Sequence, residues 1–303
     1  MSVTANMVRE LREKTSAGML DCKKALEETK GNFEEAVEWL RKKGLASAAK
    51  KADRLASEGI VTAMVQGKTG ALLEVNSETD FVAKNDLFKD FVSQLVHLVG
   101  TAPKALTDVD SLLTADLKGI KVGDILKESI ARIGENLVIR RFFRLDTTGM
   151  VHSYVHGDGK IGVLVELDTT VDNGDTRTLA NDICLHVAAM NPLALSPNEV
   201  PAEIVAKERE ILKAKGLEQG KKAEMIDKIV EGQIRKFLAE SCLLEQAFVK
   251  NPDLKVSEHV EQTAKKVGAP IKVTRFVRYE LGEGLAKKTN NFAEEVAAQT
   301  KGH

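Results

Sequence analysis

The chain has 303 residues, of which 43% are hydrophobic and 29% are charged, and its formal net charge is −1. This length allows two or three domains with sizeable cores, and the balanced charge argues against nucleic acid as the main partner. No apolar run approaches the roughly 20 residues of a membrane span, and the first residues lack the apolar stretch of a signal peptide. Three widely spaced cysteines, Cys22, Cys184 and Cys242, are typical of reduced thiols, so a cytoplasmic protein is expected.

Residues 1–55 are predicted to form a small N-terminal module of three helices. Apolar residues recur in three stretches, and the second helix is expected to carry Leu20, Cys22 and Leu26. Asn32 is placed to cap the third helix. The run 46–52 continues as an alanine-rich helix with few apolar groups to bury. We therefore expect this run to be a spacer and not part of a core.

Residues 59–95 and 149–187 look like two copies of one unit. Each copy has two β-rich runs joined by a glycine-containing turn, and an amphipathic helix follows. A closing strand comes after each copy, at 137–145 and at 271–278. The matched positions are Gly59, Val61, Val65, Gly67, Gly70, Leu72, Glu74, Leu87, Phe91, Leu95 and Arg141 in the first copy and Gly149, Val151, Val155, Gly157, Gly162, Leu164, Glu166, Leu179, Ile183, Val187 and Arg275 in the second.

The second copy contains an insertion over residues 201–243. Apolar residues recur at helical spacing on both sides of Gly216, so an antiparallel helical hairpin that projects from the domain is expected. Residues 291–300 are predicted to form a short C-terminal helix with Phe292 and Val296 on one face. The sequence thus predicts an α+β fold with a duplicated antiparallel-sheet and helix core. Its four parts are the N-terminal module 1–55, core subdomains 56–146 and 147–282, and a C-terminal helical module 283–303.

The two copies differ in the loop that joins strand to helix. The first reads Thr79-Asp80-Phe81-Val82, whereas the second reads Val171-Asp172-Asn173-Gly174 in a loop of equal length. An aromatic residue that one copy omits is a candidate for insertion into a partner protein. The alternative interpretation is structural: Thr79 or Asp80 caps a helix, and the Phe81 side chain covers the core of its own domain. The residues alone leave both interpretations open.

No combination of residues indicates catalysis or cofactor binding. The stretch 157–162 fits the dinucleotide pattern G-x-G-x-x-G, but strands are predicted on both sides of it, so the glycines serve a turn. His152 and His156 lack a further ligand, and His156 is either a partner contact or a solvated turn residue. Cys22 has lysine neighbours that favour the thiolate, although a buried thiol is the commoner case. We expect no cofactor, no metal, no directly bound nucleotide and no enzymatic activity.

Several motifs together identify a resemblance to a known family. The segments LREKTSAGMLDCKKALEETKGNFEEAVEWLRKKG and EVNSETDFVAKND closely resemble bacterial elongation factor Ts, and RIGENLVIRRF, SYVHGDGKIGVLV and FVRYELGEGL fall where that family has its motifs. The likeness covers essentially the whole chain. It implies a guanine-nucleotide exchange factor for the GTPase elongation factor Tu. It also implies an N-terminal module similar to ubiquitin-associated domains, a coiled-coil hairpin and a C-terminal helix that touches the partner.

The resemblance also implies roles for particular residues. Thr79, Asp80, Phe81 and Val82 match the segment that enters the GTPase beside its Mg²⁺ site. Self-association through the hairpin stays open, because the hairpin departs from the enterobacterial pattern of the family. Further matches at three places in the chain are expected to be partner contacts. These further contacts are Lys23 in the N-terminal module, Ile133 and Gly134 in a neighbouring loop, and His156 in the core.

Two other classes of protein are weighed against the exchange factor. Short basic runs at 41–43 and 140–141 are compatible with an RNA- or ribosome-binding module, although such runs are more often solvated faces and few aromatics accompany them. The N-terminal module alone is compatible with a ubiquitin-type adaptor, which leaves the duplicated core unexplained. An enzyme has the least support, because no nucleophile, base and orienting group occur together.

Overall fold

A computed structural model gives the fold and describes residues 3–15, 17–102, 106–220 and 223–286. Helices and small antiparallel sheets are both present, which confirms the predicted α+β class. The predicted helix over 291–300 lies outside the described residues. The helices are α1 (Ala5–Thr15), α2 (Met19–Glu28), α3 (Phe33–Lys51), α4 (Asp80–Ala83), α5 (Asp86–Thr101), α6 (Val109–Thr114), α7 (Val122–Ile133), α8 (Gly174–Met190), α9 (Ala202–Glu218), α10 (Ala223–Ser241) and α11 (Val256–Val267), with a 3₁₀ turn at Pro197–Glu199. The strands are β1 (Glu58–Gln66), β2 (Thr69–Ser77), β3 (Asp116–Leu117), β4 (Ile120–Lys121), β5 (Leu137–Asp146), β6 (Met150–His156), β7 (Ile161–Asp168), β8 (Ala247–Phe248), β9 (Asn251–Lys255) and β10 (Lys272–Glu280).

Two three-stranded sheets have the same internal order. In the first, β2 lies between β1 and β5, and in the second, β7 lies between β6 and β10. Strands β6 and β7 are antiparallel and form a hairpin in which His156 lies opposite Ile161. In the turn between them, Gly157 and Gly159 have φ values of +58° and +91°, a conformation that favours glycine. The glycine-rich motif is therefore a hairpin turn, as predicted.

The chain forms two compact units. Unit one consists of Met1–Thr62, Leu73–Phe142 and Glu280–His303, and unit two consists of Ala63–Leu72 and Phe143–Tyr279. Unit one therefore contains α1 to α7 and the segment that follows β10, whereas unit two contains α8 to α11 and the β6–β7 hairpin.

In unit one, α1, α2 and α3 pack around a small apolar core. Trp39 is partly buried against this core. The side chain of Asn32 accepts hydrogen bonds from the backbone N–H groups of Glu34 (3.1 Å) and Glu35 (3.3 Å), which confirms the predicted cap of α3. The buried members of the core are Val8, Leu11, Cys22, Ala25, Leu26 and Ala36.

Leu20 lies on α2 as expected, but it does not share the buried face of Cys22 and Leu26, with which the sequence pattern grouped it. Its side chain is 83% exposed, and Met19 beside it is also exposed. The buried face of α2 runs through Cys22, Ala25 and Leu26, and Leu20 lies about 200° around the helix from Cys22 because each residue turns the helix by about 100°. Helix α2 therefore presents two apolar side chains to solvent in its first turn.

The predicted spacer role of residues 46–52 is wrong. Helix α3 continues to Lys51 and packs along α7 in the same unit. A β-carbon built on Gly44 lies only 3.0 Å from the Cβ of Ala131, and Ala48 is buried. The small side chains of α3 give no apolar stripe to recognise in the sequence, but they allow a second helix to approach closely.

In unit two, α8 packs on the β6–β7 hairpin, and α11 packs on α8. Helices α9 and α10 occupy the predicted insertion and are antiparallel, since Arg209 pairs with Glu231 and Lys213 pairs with Asp227 at 3.3 Å. The apolar seam between them contains buried Ile226, Val230 and Ile234, with Val205, Leu212 and Leu238 packed against it.

Two helical glycines give a test of the α3–α7 contact. Replacing exposed Gly232 of α10 with alanine is expected to stabilise its helix by about 1 kcal/mol, since a β-carbon there meets no atom within 4 Å. Gly44→Ala is expected to lose this gain, because overpacking against Ala131 costs about 1–3 kcal/mol. Urea denaturation followed by Trp39 fluorescence reports on Gly44→Ala, and circular dichroism reports on Gly232→Ala. An equal gain in both variants would contradict the packing of α3 on α7.

Candidate protein-binding site

The loop that the sequence singled out begins where β2 ends, at Ser77. It folds into the single helical turn α4 before α5 starts, and Asn85 caps α5 by accepting a hydrogen bond from the N–H of Leu87 at 2.9 Å. Asp80 is the first residue of α4, and its carboxylate pairs with Lys84 at 3.0 Å. The junction between strand and helix is therefore a structured turn.

The side chains of Phe81 and Val82 point in different directions from this turn. The Phe81 side chain is 78% exposed, whereas Val82 is 7% exposed and is part of the core. The interpretation of Phe81 as a cover over its own core is therefore wrong. The Lys84 ammonium lies 5.9 Å from the centroid of the Phe81 ring, but a contact between two exposed groups contributes little. The turn thus holds one apolar side chain inward and presents an aromatic ring to solvent.

Two carboxylates fix the turn through reciprocal hydrogen bonds, which we call the carboxylate clamp. The Glu135 carboxylate accepts from the backbone N–H of Thr79 at 3.0 Å and from its hydroxyl at 2.7 Å. The Glu78 carboxylate accepts from the backbone N–H of Asn136 at 2.7 Å. Thr79 stands at the N-cap position of α4 without a side-chain cap hydrogen bond, so the alternative in which its side chain caps the helix does not hold. The clamp joins the β2–α4 junction to the α7–β5 junction.

The clamp extends to the chain that follows α3. The side-chain amide of buried Asn136 donates to the carbonyl oxygens of Ala52 at 3.2 Å and Arg54 at 2.8 Å. The Arg54 guanidinium in turn lies 3.4 Å from the Glu78 carboxylate. Three chain segments that are distant in sequence therefore meet around one buried asparagine, which restricts the freedom of the exposed turn.

Ile133 and Gly134 lie at the same junction, directly before Glu135. Gly134 ends α7 with a φ of +89°, and a β-carbon there would meet no atom within 4 Å, so the backbone conformation is what favours glycine. Ile133 lines a shallow groove of about 100 Å³ whose wall also includes Leu87 and Phe91. The structure therefore brings six of the predicted contact residues, 79–82 and 133–134, to the two junctions that the clamp joins.

Lys23 lies elsewhere in unit one, on the solvent-facing side of α2. Its ammonium is 3.7 Å from the Glu27 carboxylate, and both side chains are largely exposed. It shares this side of the helix with the exposed residues Met19 and Leu20, which are four and three positions earlier. Lys23 is thus beside an apolar surface and not beside the clamp.

His156 belongs to unit two, where it ends strand β6. Its side chain is exposed, and a hydrogen bond of 2.9 Å joins its Nδ1 atom to the hydroxyl of Tyr154. Neighbouring Val155 is exposed as well. His156 is therefore oriented by an aromatic neighbour at the end of the hairpin and is accessible to a partner.

Within residues 3–286, as far as they are described, no three or more histidine, cysteine, aspartate or glutamate side chains form a metal-binding group. Over the same residues, no helix is both long and apolar enough to cross a membrane. Cys22 is buried, and burial raises the pKa of its thiol, which contradicts the possibility of a stabilised thiolate. Burial also raises the pKa values of Cys184 and Cys242.

The known proteins that this chain resembles are translation elongation factors. A family model described as Elongation factor TS matches residues 78–283. Elongation factor Ts from Bdellovibrio bacteriovorus is 56% identical to the chain, with 100% of both chains covered. Elongation factor Ts from Syntrophotalea carbinolica and from Clostridioides difficile are each 50% identical over 99% of this chain and 100% and 99% of their own. The chain belongs to the elongation factor Ts family.

The carboxylate clamp can be tested without any partner. Glu135→Ala removes the acceptor of the Thr79 N–H and hydroxyl, and hydrogen bonds to a charged group contribute about 1.5–3 kcal/mol. We expect faster amide hydrogen exchange in the peptide that contains residues 78–86 and a lower free energy of unfolding.

Glu128→Ala is the matched control, because Glu128 lies on α7 and its exposed carboxylate forms an ion pair with Arg132 at 3.9 Å. This variant is expected to leave exchange at residues 78–86 unchanged. Equal exchange in the Glu135→Ala variant and the wild-type protein would rule out the clamp as the constraint on the turn.

Proposed function

We propose that this protein is a guanine-nucleotide exchange factor for elongation factor Tu, acting in the cytoplasm during translation elongation, and that it is not an enzyme. The observation that carries the proposal is the exposed ring of Phe81 on a turn fixed from two sides. Val82 anchors the turn from within, and the carboxylate clamp holds it beside α7. Family membership supports elongation factor Tu as the partner.

The proposed action of Phe81 is that of a wedge. Burial of its ring in an apolar pocket of the GTPase is worth roughly 1.5–3 kcal/mol by area. Because the turn is already ordered, little of this energy is lost in fixing the loop on binding. The bound ring separates the partner's helices beside its Mg²⁺ site, where Mg²⁺ otherwise offsets the phosphate charge of GDP. The hold on GDP then weakens without a chemical step.

Reciprocity follows from this coupling. If the factor weakens GDP binding by a given ratio, nucleotide binding weakens the grip of the factor by the same ratio. Incoming GTP can therefore expel the factor, which needs no reacting side chain of its own.

The other contacts divide between the parts of the protein. In unit one, Asp80 and Thr79 accompany the wedge, and Ile133 and Gly134 offer a second loop beside it. Lys23, with exposed Met19 and Leu20, gives the N-terminal module its own docking surface. We propose that His156 of unit two and the C-terminal module, residues 283–303, supply further contacts.

We also propose the finer architecture that the sequence predicts, namely a ubiquitin-associated-like module at 1–55 and a duplicated core at 56–146 and 147–282. The shared strand order supports duplication. So do two equivalent glycines: a β-carbon on Gly59 would lie 2.2 Å from the carbonyl oxygen of Val75, and one on Gly149 would lie 2.1 Å from that of Leu167. Self-association through the hairpin at 201–243 stays a prediction.

The charge pairing supports this function over an RNA-binding module. Both basic runs are paired within the chain, which reduces the positive potential available to a phosphate backbone. The pairs are Arg41 with Asp124, Lys42 with Glu38, Lys43 with Asp21, and both Arg140 and Arg141 with Glu74.

The central test uses GDP-loaded elongation factor Tu and the release of labelled GDP. The Phe81→Ala variant is expected to fold normally, since truncation of an exposed side chain usually changes stability by less than about 0.5 kcal/mol. It should still bind the GTPase, but its maximal rate of GDP release should fall at least about tenfold, the ratio that corresponds to 1.4 kcal/mol of lost wedge energy.

Leu193→Ala is the control for this experiment, because Leu193 is also an exposed large apolar residue and lies in unit two. It should release GDP at the wild-type rate. A Phe81→Ala variant with an unchanged release rate would reject the wedge.

A second test concerns the N-terminal module. Deletion of residues 1–50 would also uncover the α7 face that α3 covers, so a point substitution is cleaner. Leu20→Glu is expected to raise the concentration of factor that gives half-maximal GDP release several-fold, because a charge replaces an apolar contact, while the maximal rate and the melting temperature stay unchanged.

The matched substitution is Leu217→Glu on the exposed surface of α9. It should leave both kinetic parameters at their wild-type values. If the two variants behave alike, the first turn of α2 is not a docking surface.

A further inference from the structure

Unit one contains a fully buried carboxylate that the proposed wedge does not use. Glu74 lies in the central strand β2, and its side chain is 0% exposed. One carboxylate oxygen is 2.8 Å from the Arg140 guanidinium, and the other is 2.6 Å from Nε of Arg141. Burying a carboxylate is costly unless it is paired and hydrogen-bonded. The two arginines offset this cost, but they do not explain why a charged residue occupies the position.

Besides the side-chain amide of Asn76, which donates to the carboxylate at 3.3 Å, Glu74 has a backbone partner on the segment that follows β10. The N–H of Gly282 donates to the Glu74 carboxylate at 2.8 Å. Gly282 has a φ of +69°, and a β-carbon there would lie 2.5 Å from the carbonyl oxygen of Ser57. Both the conformation and the lack of space favour glycine at this position, so the segment passes close over the sheet at a defined point.

The two arginines hold the same segment from β5. Arg141 donates to the carbonyl oxygen of Glu280 at 3.1 Å and pairs with the Glu283 carboxylate at 3.2 Å. Arg140 donates to the carbonyl oxygen of Glu283. Burial opposes the charge of the Arg141 guanidinium, but Glu74 and Glu283 outweigh this effect and raise its pKa. One buried carboxylate therefore organises two guanidiniums and the backbone of residues 280–283.

The second half of the chain provides a comparison. The repeat in the sequence matches Glu74 with Glu166 and Arg141 with Arg275. In unit two, Nε of Arg275 lies 3.9 Å from the Glu166 carboxylate. The sheet therefore accommodates this glutamate and arginine at a looser distance. The tight contacts and the captured backbone N–H belong to Glu74.

We infer that Glu74 is a positioning residue that fixes the course of residues 280–286 and so sets where the C-terminal module, which continues from them, leaves the core. For its effect on guanine-nucleotide exchange, the inference rests on the proposed function. The carboxylate clamp that fixes the wedge turn consists of Glu78 and Glu135 and does not include Glu74. Loss of Glu74 therefore weakens association with the GTPase and leaves the maximal rate of GDP release intact.

The test compares Glu74→Gln with Glu166→Gln in the full chain. Glutamine keeps the shape and removes the charge. Hydrogen–deuterium exchange of the peptide that contains residues 280–286 is expected to rise about tenfold or more in Glu74→Gln, since a charged acceptor is lost. With GDP-loaded elongation factor Tu, its half-saturating concentration is expected to rise several-fold at an unchanged maximal rate. Glu166→Gln should change neither quantity.

Gly282→Ala is a second variant that displaces the segment while Glu74 stays in place, and it decides the matter if Glu74→Gln does not fold. It should reproduce both the faster exchange and the weaker association. Unchanged exchange at residues 280–286 in Glu74→Gln, an equal effect of Glu166→Gln, or a proportional loss of maximal rate would each overturn the inference. If the wild-type protein fails to accelerate GDP release, the proposed function fails, whereas the exchange data still decide whether Glu74 holds the segment.

Discussion

The exposed ring of Phe81 depends on the carboxylate clamp beneath it. An aromatic side chain on a free loop would lose conformational entropy on binding or fold back onto its own protein. Here Glu135 takes the N–H and hydroxyl of Thr79, and Glu78 takes the N–H of Asn136, so the turn is already ordered. In the proposed mechanism, the energy of burying the ring is then available to deform the partner, because little of it is lost in ordering the turn.

The sequence made an exposed ring one of two interpretations of Phe81, for a definite physical reason. A repeat that builds the same junction with Asn173 removes the need for Phe81 in the fold. The partners of the turn could not be predicted, because Thr79 and Glu135 are 56 positions apart and a hydrogen bond at that distance leaves no periodic signal. The repeat did contain a signal: it matches Glu78 with Thr170 and Glu135 with Ala269, so the second copy cannot make the clamp.

The errors in the N-terminal module have a common cause. Both rested on counting large apolar side chains, which works for an amphipathic helix but fails at a close contact between small residues. Gly44 and Ala131 allow α3 and α7 to approach closely at one point, and exposed Leu20 contributes nothing to the core despite its size. The first error hid a structural contact, and the second hid a candidate docking surface.

Glutamates thus serve two different purposes in unit one. Glu78 and Glu135 lie at junctions between elements, where they order a turn that faces solvent, whereas Glu74 lies inside the sheet and holds a segment of backbone. The glutamate and arginine of the sheet occur in both halves of the chain, as Glu74 with Arg141 and as Glu166 with Arg275. The two glutamates of the clamp occur only in the first half of the sequence. Both halves of the chain therefore contain a Glu–Arg pair on a three-stranded sheet, and only the pair of the first half is held at hydrogen-bond distance. In both arrangements the glutamate fixes a backbone position by accepting from an N–H group, and the proposed function asks nothing more of these side chains, because in that proposal the bound nucleotide and its Mg²⁺ belong to the partner.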